Sequence, residues 1–176
     1  MRRITLAILV ACVSFCSSAA QPVHDLSGAH DFDFEFGDWK VHHRITRANG
    51  ETFEMEGTAN TRPILGGLGN VEDNLFHRPE GDSRGVALRT YDPATASWAI
   101  WWVDSRNPHA ALDPPMKGRF ENGVGTFYAE GEINGRQLRT RFIWSKITKN
   151  SAQWEQAFSY DAGKTWDTNW VMTFRR

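Results

Sequence analysis

The sequence predicts an all-β chain folded as a single up-and-down antiparallel β-barrel of about 8–10 strands. Three observations carry that expectation. From Asp38 onward apolar residues recur at every second position, the period of a half-buried strand, and the helical period is missing. Turn signals punctuate these runs at short intervals, among them Asn49-Gly50, Asn122-Gly123, Asn134-Gly135 and Asp161-Ala162-Gly163. No segment supplies a helix for a βαβ crossover, so neighbouring strands must be antiparallel, and closing the sheet removes its exposed edges.

The amino terminus reads as a leader and not as part of that barrel. Arg2 and Arg3 precede an almost unbroken apolar run from Ile4 to Phe15, and Ser18-Ala19-Ala20 offers small residues for cleavage. Residues 1–20 are therefore expected to be a secretory signal peptide, shorter than an ordinary membrane span. Residues 21–176 are then one barrel domain, secreted or periplasmic, with no membrane span. Cys16 leaves lipidation open, although Phe15 stands where a small residue is wanted. Both cysteines, Cys12 and Cys16, fall in the leader, so the domain has no disulfide and relies on its core. Eight Trp and eleven Phe give that core its apolar area. Lys+Arg number 20 against 21 Asp+Glu, and two of the arginines lie in the leader, so nothing favours nucleic acid as a partner.

Gln21 to His30 has no clear period and reads as a lead-in. The first strand follows Gly37-Asp38-Trp39, with Trp39, Val41, His43 and Ile45 on one face and Lys40, His42 and Arg44 on the other. Phe53-x-Met55 opens the second strand, and Arg62-Pro63 is expected to interrupt it before Ile64-Leu65. Asn70 to Phe76 forms a third strand, while Arg84 to Tyr91 and Ser97 to Asp104 form a hairpin. Trp98, Ile100 and Trp102 alternate with Ala99, Trp101 and Val103, so this strand is apolar on both faces and is expected to be central or strongly covered. Ser105 to Lys117, with three prolines, is expected to cross an open end of the barrel. The remaining strands meander through Gly125 to Glu130, Leu138 to Trp144, Trp154 to Ser159 and Trp166 to Arg175.

Several motifs suggest chemistry that their context does not support. Gly66-Gly67-Leu68-Gly69-Asn70 lacks the Lys-Ser/Thr and the following helix of a phosphate loop, and reads as a turn or bulge. Ser159-Tyr160-Asp161-Ala162-Gly163-Lys164-Thr165-Trp166 matches the Asp-box pattern of sialidase propellers. It occurs once, whereas propellers repeat it, so we read it as a hairpin device. His42 and His43 are strand neighbours pointing to opposite faces and cannot chelate one ion, and nothing places His109 near another ligand. No cofactor or metal motif is found. Gly-x-Ser-x-Gly is absent and the domain has no cysteine nucleophile, so no catalytic residue is assigned. Glu155, Arg139 and Arg141 fall on the outward phase and suggest an Arg–Glu pair on the outer surface.

Polar residues on otherwise apolar faces mark the candidate site. His43 follows Trp39 and Val41, Gln156 sits between Trp154 and Phe158, and Thr140 precedes Phe142 and Trp144. With Trp102 and Met172 they define an expected ligand-binding wall of His43, Trp102, Thr140, Trp154, Gln156 and Met172. The partner it suits is a small hydrophobic or amphipathic molecule, held by aromatic surface and oriented by a few polar groups. An enzyme with His43 as acid or base, and Asp104 as the one carboxylate in phase to orient it, is the first alternative to a binding protein. A haem-binding barrel and an interaction module with a filled interior are the others.

Gly37-Asp38-Trp39, at the start of the first strand, resembles the amino-terminal Gly-x-Trp signature of lipocalin and calycin barrels. More of the chain is similar to a bacterial secreted family of unknown function with a calycin-like barrel. That similarity rests on Phe32 to His43, Gly66 to Asn70, Leu88-Arg89-Thr90-Tyr91-Asp92-Pro93 and Gly118 to Gly123. It continues through Arg141 to Trp144, Trp154 to Ser159 and Trp166 to Phe174. The resemblance implies the fold and supplies no activity. It also implies that a basic side chain from the last strand, Arg175 or Arg176, covers Trp39. Without cysteines in the domain or a helix near its end, the chain departs from secreted lipocalins, whose functions do not carry over.

Overall fold

In the computed structural model, which describes residues 24–133 and 135–176, ten antiparallel strands close into one barrel. The leader, with Cys16, and Asn134 lie outside the described residues. The strands are β1 (Gly37–Thr46), β2 (Thr52–Ile64), β3 (Gly69–Phe76), β4 (Ser83–Asp92) and β5 (Ser97–Asp104). They continue as β6 (Met116–Glu121), β7 (Val124–Ile133), β8 (Arg136–Ser145), β9 (Ser151–Ser159) and β10 (Asp167–Arg175). Each pairs with its sequence neighbours, and β1 closes on β10 from Lys40↔Arg175 to Ile45↔Trp170. Every strand thus pairs on both sides over at least part of its length, and the sheet has no terminal strand.

The two-residue period becomes a division between interior and solvent. On β1, Trp39, Val41 and His43 are buried, while Lys40 and Arg44 are exposed. Turns fall where glycine or a small polar residue takes positive φ, as at Gly50 and Asn122-Gly123. Leu65, Gly66 and Gly67 form a short turn of positive φ between β2 and β3, as the glycine-rich stretch suggests.

Three local expectations are corrected. Pro63 does not break β2, which runs to Ile64. The pairing with β1 ends at Gly37↔Thr61, so from Arg62 onward β2 has β3 as its one neighbour and tolerates a missing N–H. The outer face of β5 is not covered: Val103 is exposed and Ala99 and Trp101 are half-buried. A closed barrel has no central strand, and β5 pairs with β6 only from Trp98↔Gly118 to Ile100↔Met116, so its last residues stand free on that side. The crossing after β5 ends two residues early, with Met116 and Lys117 already in β6.

The two ends of the barrel differ. Residues 25–36 fold across one end and close it, held by backbone and side-chain bonds such as Trp98 Nε1 donating to the Gly28 carbonyl at 2.9 Å. The β5–β6 and β7–β8 connections surround the other end, which is open. The core gathers against the closed end around Phe32, Trp98, Phe127, Trp144 and Phe174.

Candidate functional site

The closed end begins with a single 3₁₀ turn, Asp33–Glu35. Its three-residue period puts Phe32 and Glu35 on the same side, and both are fully buried. Phe32 packs edge-on against Trp98 at 5.0 Å and Phe120 at 4.9 Å between ring centroids. The Glu35 carbonyl accepts the Trp39 Nε1 hydrogen at 2.7 Å. Arg176 lies over the Trp39 ring at 4.0 Å, and donates to the carbonyls of Phe34 and Phe36 at 3.0 and 2.7 Å. The expected Arg–Trp closure is therefore present, and it fastens the carboxyl terminus to the plug.

Above the plug lies a buried ion cluster. Arg89, from β4, donates to Glu35 Oε2 at 2.6 Å and Oε1 at 3.2 Å, to Asn70 Oδ1 at 3.0 Å, and to Glu72. The guanidinium also stacks over Phe32 at 4.8 Å and Trp144 at 5.6 Å. Register brings these groups together: Asn70 lies opposite Arg89 on β3, and Glu72 follows in phase. Burial pushes the Glu35 carboxyl well above the usual range, with Arg89 opposing that rise and Glu72 adding to it. Burial works against the charge on Arg89, but Glu35 and Glu72 outweigh it and keep the guanidinium protonated. Sharing one cation between two carboxylates leaves groups of both kinds unmet among the described residues, including the donors Arg89 Nε and Asn70 Nδ2. Glu72 Oε1 and Asn74 Oδ1 have no hydrogen-bond partner among the described residues, nor does Trp144 Nε1.

Glu72, Asn74, Arg89 and Trp144 are the floor of a cavity of about 600 Å³. Five of the six expected site residues, Trp102, Thr140, Trp154, Gln156 and Met172, stand on its wall. Trp102 is at the mouth, 42% exposed, with its ring in the space where a side chain at Gly85 would lie. Gln156 donates to Asn169 Oδ1 at 3.2 Å, on the residue bulged out of β10 between Thr168 and Trp170.

His43 points inward but is not on the cavity wall. Its ring packs behind Phe76 and Trp170, at 5.1 and 5.9 Å between centroids, and both of those side chains face the cavity. Trp170 Nε1 donates to His43 Nδ1 at 3.3 Å, so Nδ1 is the unprotonated nitrogen of the neutral ring. Gly57 makes room for it, because a Cβ there would stand 3.0 Å from Nε2. Burial lowers the His43 pKa to about 4, helped by His42 and Arg78. Asp104, the one carboxylate considered as its orienter, is instead bound by Arg106 at 2.5 Å, and those hydrogen bonds hold it down to about 2.

Elsewhere the motifs behave as structural devices. Asp161 Oδ1 accepts from the Lys164 and Thr165 amides at 3.0 and 2.9 Å, and Oδ2 from the Thr165 hydroxyl at 2.7 Å. Trp166 Nε1 closes the same hairpin on the Gly163 carbonyl at 3.1 Å. Outside the barrel Arg139 pairs with Glu130 at 3.0 Å, across the β7–β8 ladder, and not with Glu155. Among the described residues no three His, Cys, Asp or Glu side chains group as metal ligands, and no helix is long and apolar enough to cross a membrane.

Sequence reasoning did not single out Arg89, Glu35, Glu72 or Asn74 as site residues. Two of the strands did carry a signal. Asn70, Glu72 and Asn74 are in phase with Phe76, and Arg89 with Ala87 and Tyr91, so each polar residue shares a face with apolar ones.

Solved structures share this barrel. The S-type phycobiliprotein lyase CPES from Guillardia theta matches with a TM-score of 0.56 at 9% identity, covering 82% of this chain and 89% of that one. The EF1p2_mFAP2b structure bound to DFHBI matches at 0.45 and 11% identity, covering 85% and 99%. A de novo designed fluorescence-activating β-barrel matches at 0.43 and 12% identity, covering 82% and 94%. These identities speak to the fold alone. No curated protein matches the sequence. A family model described as a protein of unknown function (DUF1579) matches residues 32–176, and the chain belongs to that family.

Proposed function

We propose that this chain is a secreted or periplasmic barrel that binds a small, partly apolar molecule in its interior. The observation that carries the proposal is the cavity of about 600 Å³, aromatic on its walls and with partnerless polar atoms at its floor. That volume lies in the range of ordinary small-molecule sites, roughly 300–1,000 Å³. An interior packed full, as an interaction module would have, leaves no such space. Export rests on the leader-like residues 1–20. The acid–base and haem alternatives both need an inward histidine facing open space. No histidine is among the residues lining the cavity, and His43 stands behind Phe76 and Trp170.

The test uses Nile red, a neutral dye whose emission reports an apolar surrounding, titrated into the purified protein. The expected result is saturable binding of about one dye per chain with quenching of tryptophan emission. Ala129, on the cavity wall, is replaced by Trp to fill the space. Binding that survives Ala129→Trp unchanged, or no binding by the unaltered protein, would refute the proposal. Native mass spectrometry of protein from its own source then identifies the natural occupant.

A further inference from the structure

We propose that the cavity takes an amphipathic amine, an aliphatic or planar apolar body carrying a protonated nitrogen, in preference to a fatty acid or other anion. The inference rests on the cavity being the binding site and concerns the charge of what enters it. Three carboxylate residues on the cavity lining, Glu72, Asp113 and Glu132, stand against one cation among the described residues, Arg89; Glu130, also on the lining, is taken up by Arg139. The charge of Arg89 is already shared by acids: Glu35, Glu72 and Asn70 accept hydrogen bonds from its two terminal nitrogens, leaving only Nε without a partner among the described residues. A carboxylate arriving at the floor would be a third negative group around one guanidinium, in a site where burial already drives Glu35 toward its neutral form.

The floor has unmet polar atoms of both kinds, with Arg89 Nε and Trp144 Nε1 as donors that lack acceptors among the described residues. Glu72 Oε1 and Asn74 Oδ1 are acceptors without donors among the described residues, on side chains that are 3% and 2% exposed. An ammonium group is donor-only, with up to three N–H bonds to give, and is the complement of two orphaned acceptors. A carboxylate is acceptor-only: it could meet the two donors but would leave both acceptors unsatisfied and set a further acid beside Glu72. Along the wall, Trp102, Trp154 and Trp170 present indole rings, the most favourable aromatic surface for a cation.

Of the basic residues named around the open end, two pair with acids and two, Arg78 and Arg136, have neutral partners, but none of the four lines the cavity. Arg106 is held by Asp104, and Arg136 lies over the Tyr160 ring at 4.2 Å. Arg78 donates to the Ser83 hydroxyl at 2.8 Å and rests over Phe76. Arg139 takes Glu130 as its partner. That leaves Asp113 and Glu132 at the mouth without a cationic partner among the described residues, and both are exposed. The charged residues on the lining at the mouth are thus acidic, which favours a cationic head over an anionic one there, more so at low salt.

The test compares decylammonium, decanol and decanoate, which share a chain and differ in the charge and donor capacity of the head. Each is titrated below its micelle concentration at pH 7 and low ionic strength, in competition with Nile red. The expected order is decylammonium tightest and decanoate weakest, with at least about a tenfold gap in Kd between them. Asp113→Asn with Glu132→Gln should narrow the gap severalfold without disturbing the fold, and so should raised salt. Glu72→Gln should narrow it too, and if that buried substitution unfolds the chain, the mouth variant decides. Decanoate binding as tightly as decylammonium would overturn the inference, as would a gap that none of these changes narrows. Should Nile red bind while none of the three heads competes, the amine assignment falls and the cavity reading stands. If Nile red itself fails to bind, both fall.

Discussion

Acidification should unfold this barrel partly through one side chain, His43. The neutral ring is 1% exposed and uses the Nδ1 lone pair to accept the Trp170 hydrogen bond, so protonation removes that acceptor and strands a charge among Phe76, Trp170 and Met55. Its folded pKa is lowered from 6.5 to about 4. The unfolded chain therefore takes up the proton first. Between those two values it binds more protons than the folded state, and stability rises with pH across that window. In the other direction, the contribution is whole above about pH 6.5 and is lost as pH falls to about 4, below which both states are protonated. At about 1.4 kcal/mol per unit, the loss is on the order of 3 kcal/mol. The assay is urea unfolding followed by tryptophan fluorescence at a series of pH values, for the unaltered protein and for His43→Leu. Every other ionisable group is common to the two proteins, so the difference in slope between pH 6.5 and 4 isolates His43. Equal slopes for the two proteins would refute the reasoning, even if His43→Leu were less stable throughout.

Trp39→Ala should cost on the order of 3–5 kcal/mol in urea unfolding, because the ring is buried and plugs the barrel. Arg176→Ala should cost roughly 1 kcal/mol, and the two effects should fall short of additive because Arg176 lies on that ring. Arg89→Met leaves Glu35 and Glu72 buried without a cation and should destabilise by roughly 3–5 kcal/mol, most of it regained when both acids become Gln. Because the folded pKa of Glu35 is raised, its contribution favours the folded state while it is protonated; stability should fall as pH rises above the carboxylate range, more steeply in Arg89→Met. Unchanged pH dependence in that variant would count against the cluster. Asp161→Ala should speed amide hydrogen exchange at Lys164 and Thr165, whose N–H groups the carboxylate accepts, while the barrel amides stay protected.

The fold was legible because each of its causes is local. Alternation along β1 or β9 fixes a face, Asn-Gly and Asp-x-Gly fix the reversals, and short connections leave little choice of topology. Where the reading failed, it failed on closure, which is not local. An apolar outer face on Trp101 and Val103 implies cover in an open sheet, but a barrel gives β5 no covering layer, and its partner β6 parts from it after Ile100. Pro63 misled for the same reason, since whether it interrupts β2 depends on how far β1 extends beside it.

The site was half legible, and the division has a physical basis. Five wall residues follow from phase alone, because phase decides which side chains point inward. Phase does not decide which of them meet empty space. On the β1, β2 and β10 side the interior is filled by His43, Met55, Phe76 and Trp170, so an inward histidine became packing. Opposite, Ala87, Ala129, Gly131 and Thr140 are too small to fill the barrel, and the volume opens there. The ion cluster needed still more: Arg89 and Glu72 meet through the β3–β4 register, and Glu35 arrives from a 3₁₀ turn whose phase no strand period sets. A polar residue inside an alternating face marks a site, then, only where the facing residues are small or carry the opposite charge. Thr140 opposite Ala129 and Arg89 near Glu72 satisfy that condition, and His43 between Met55 and Met172 does not.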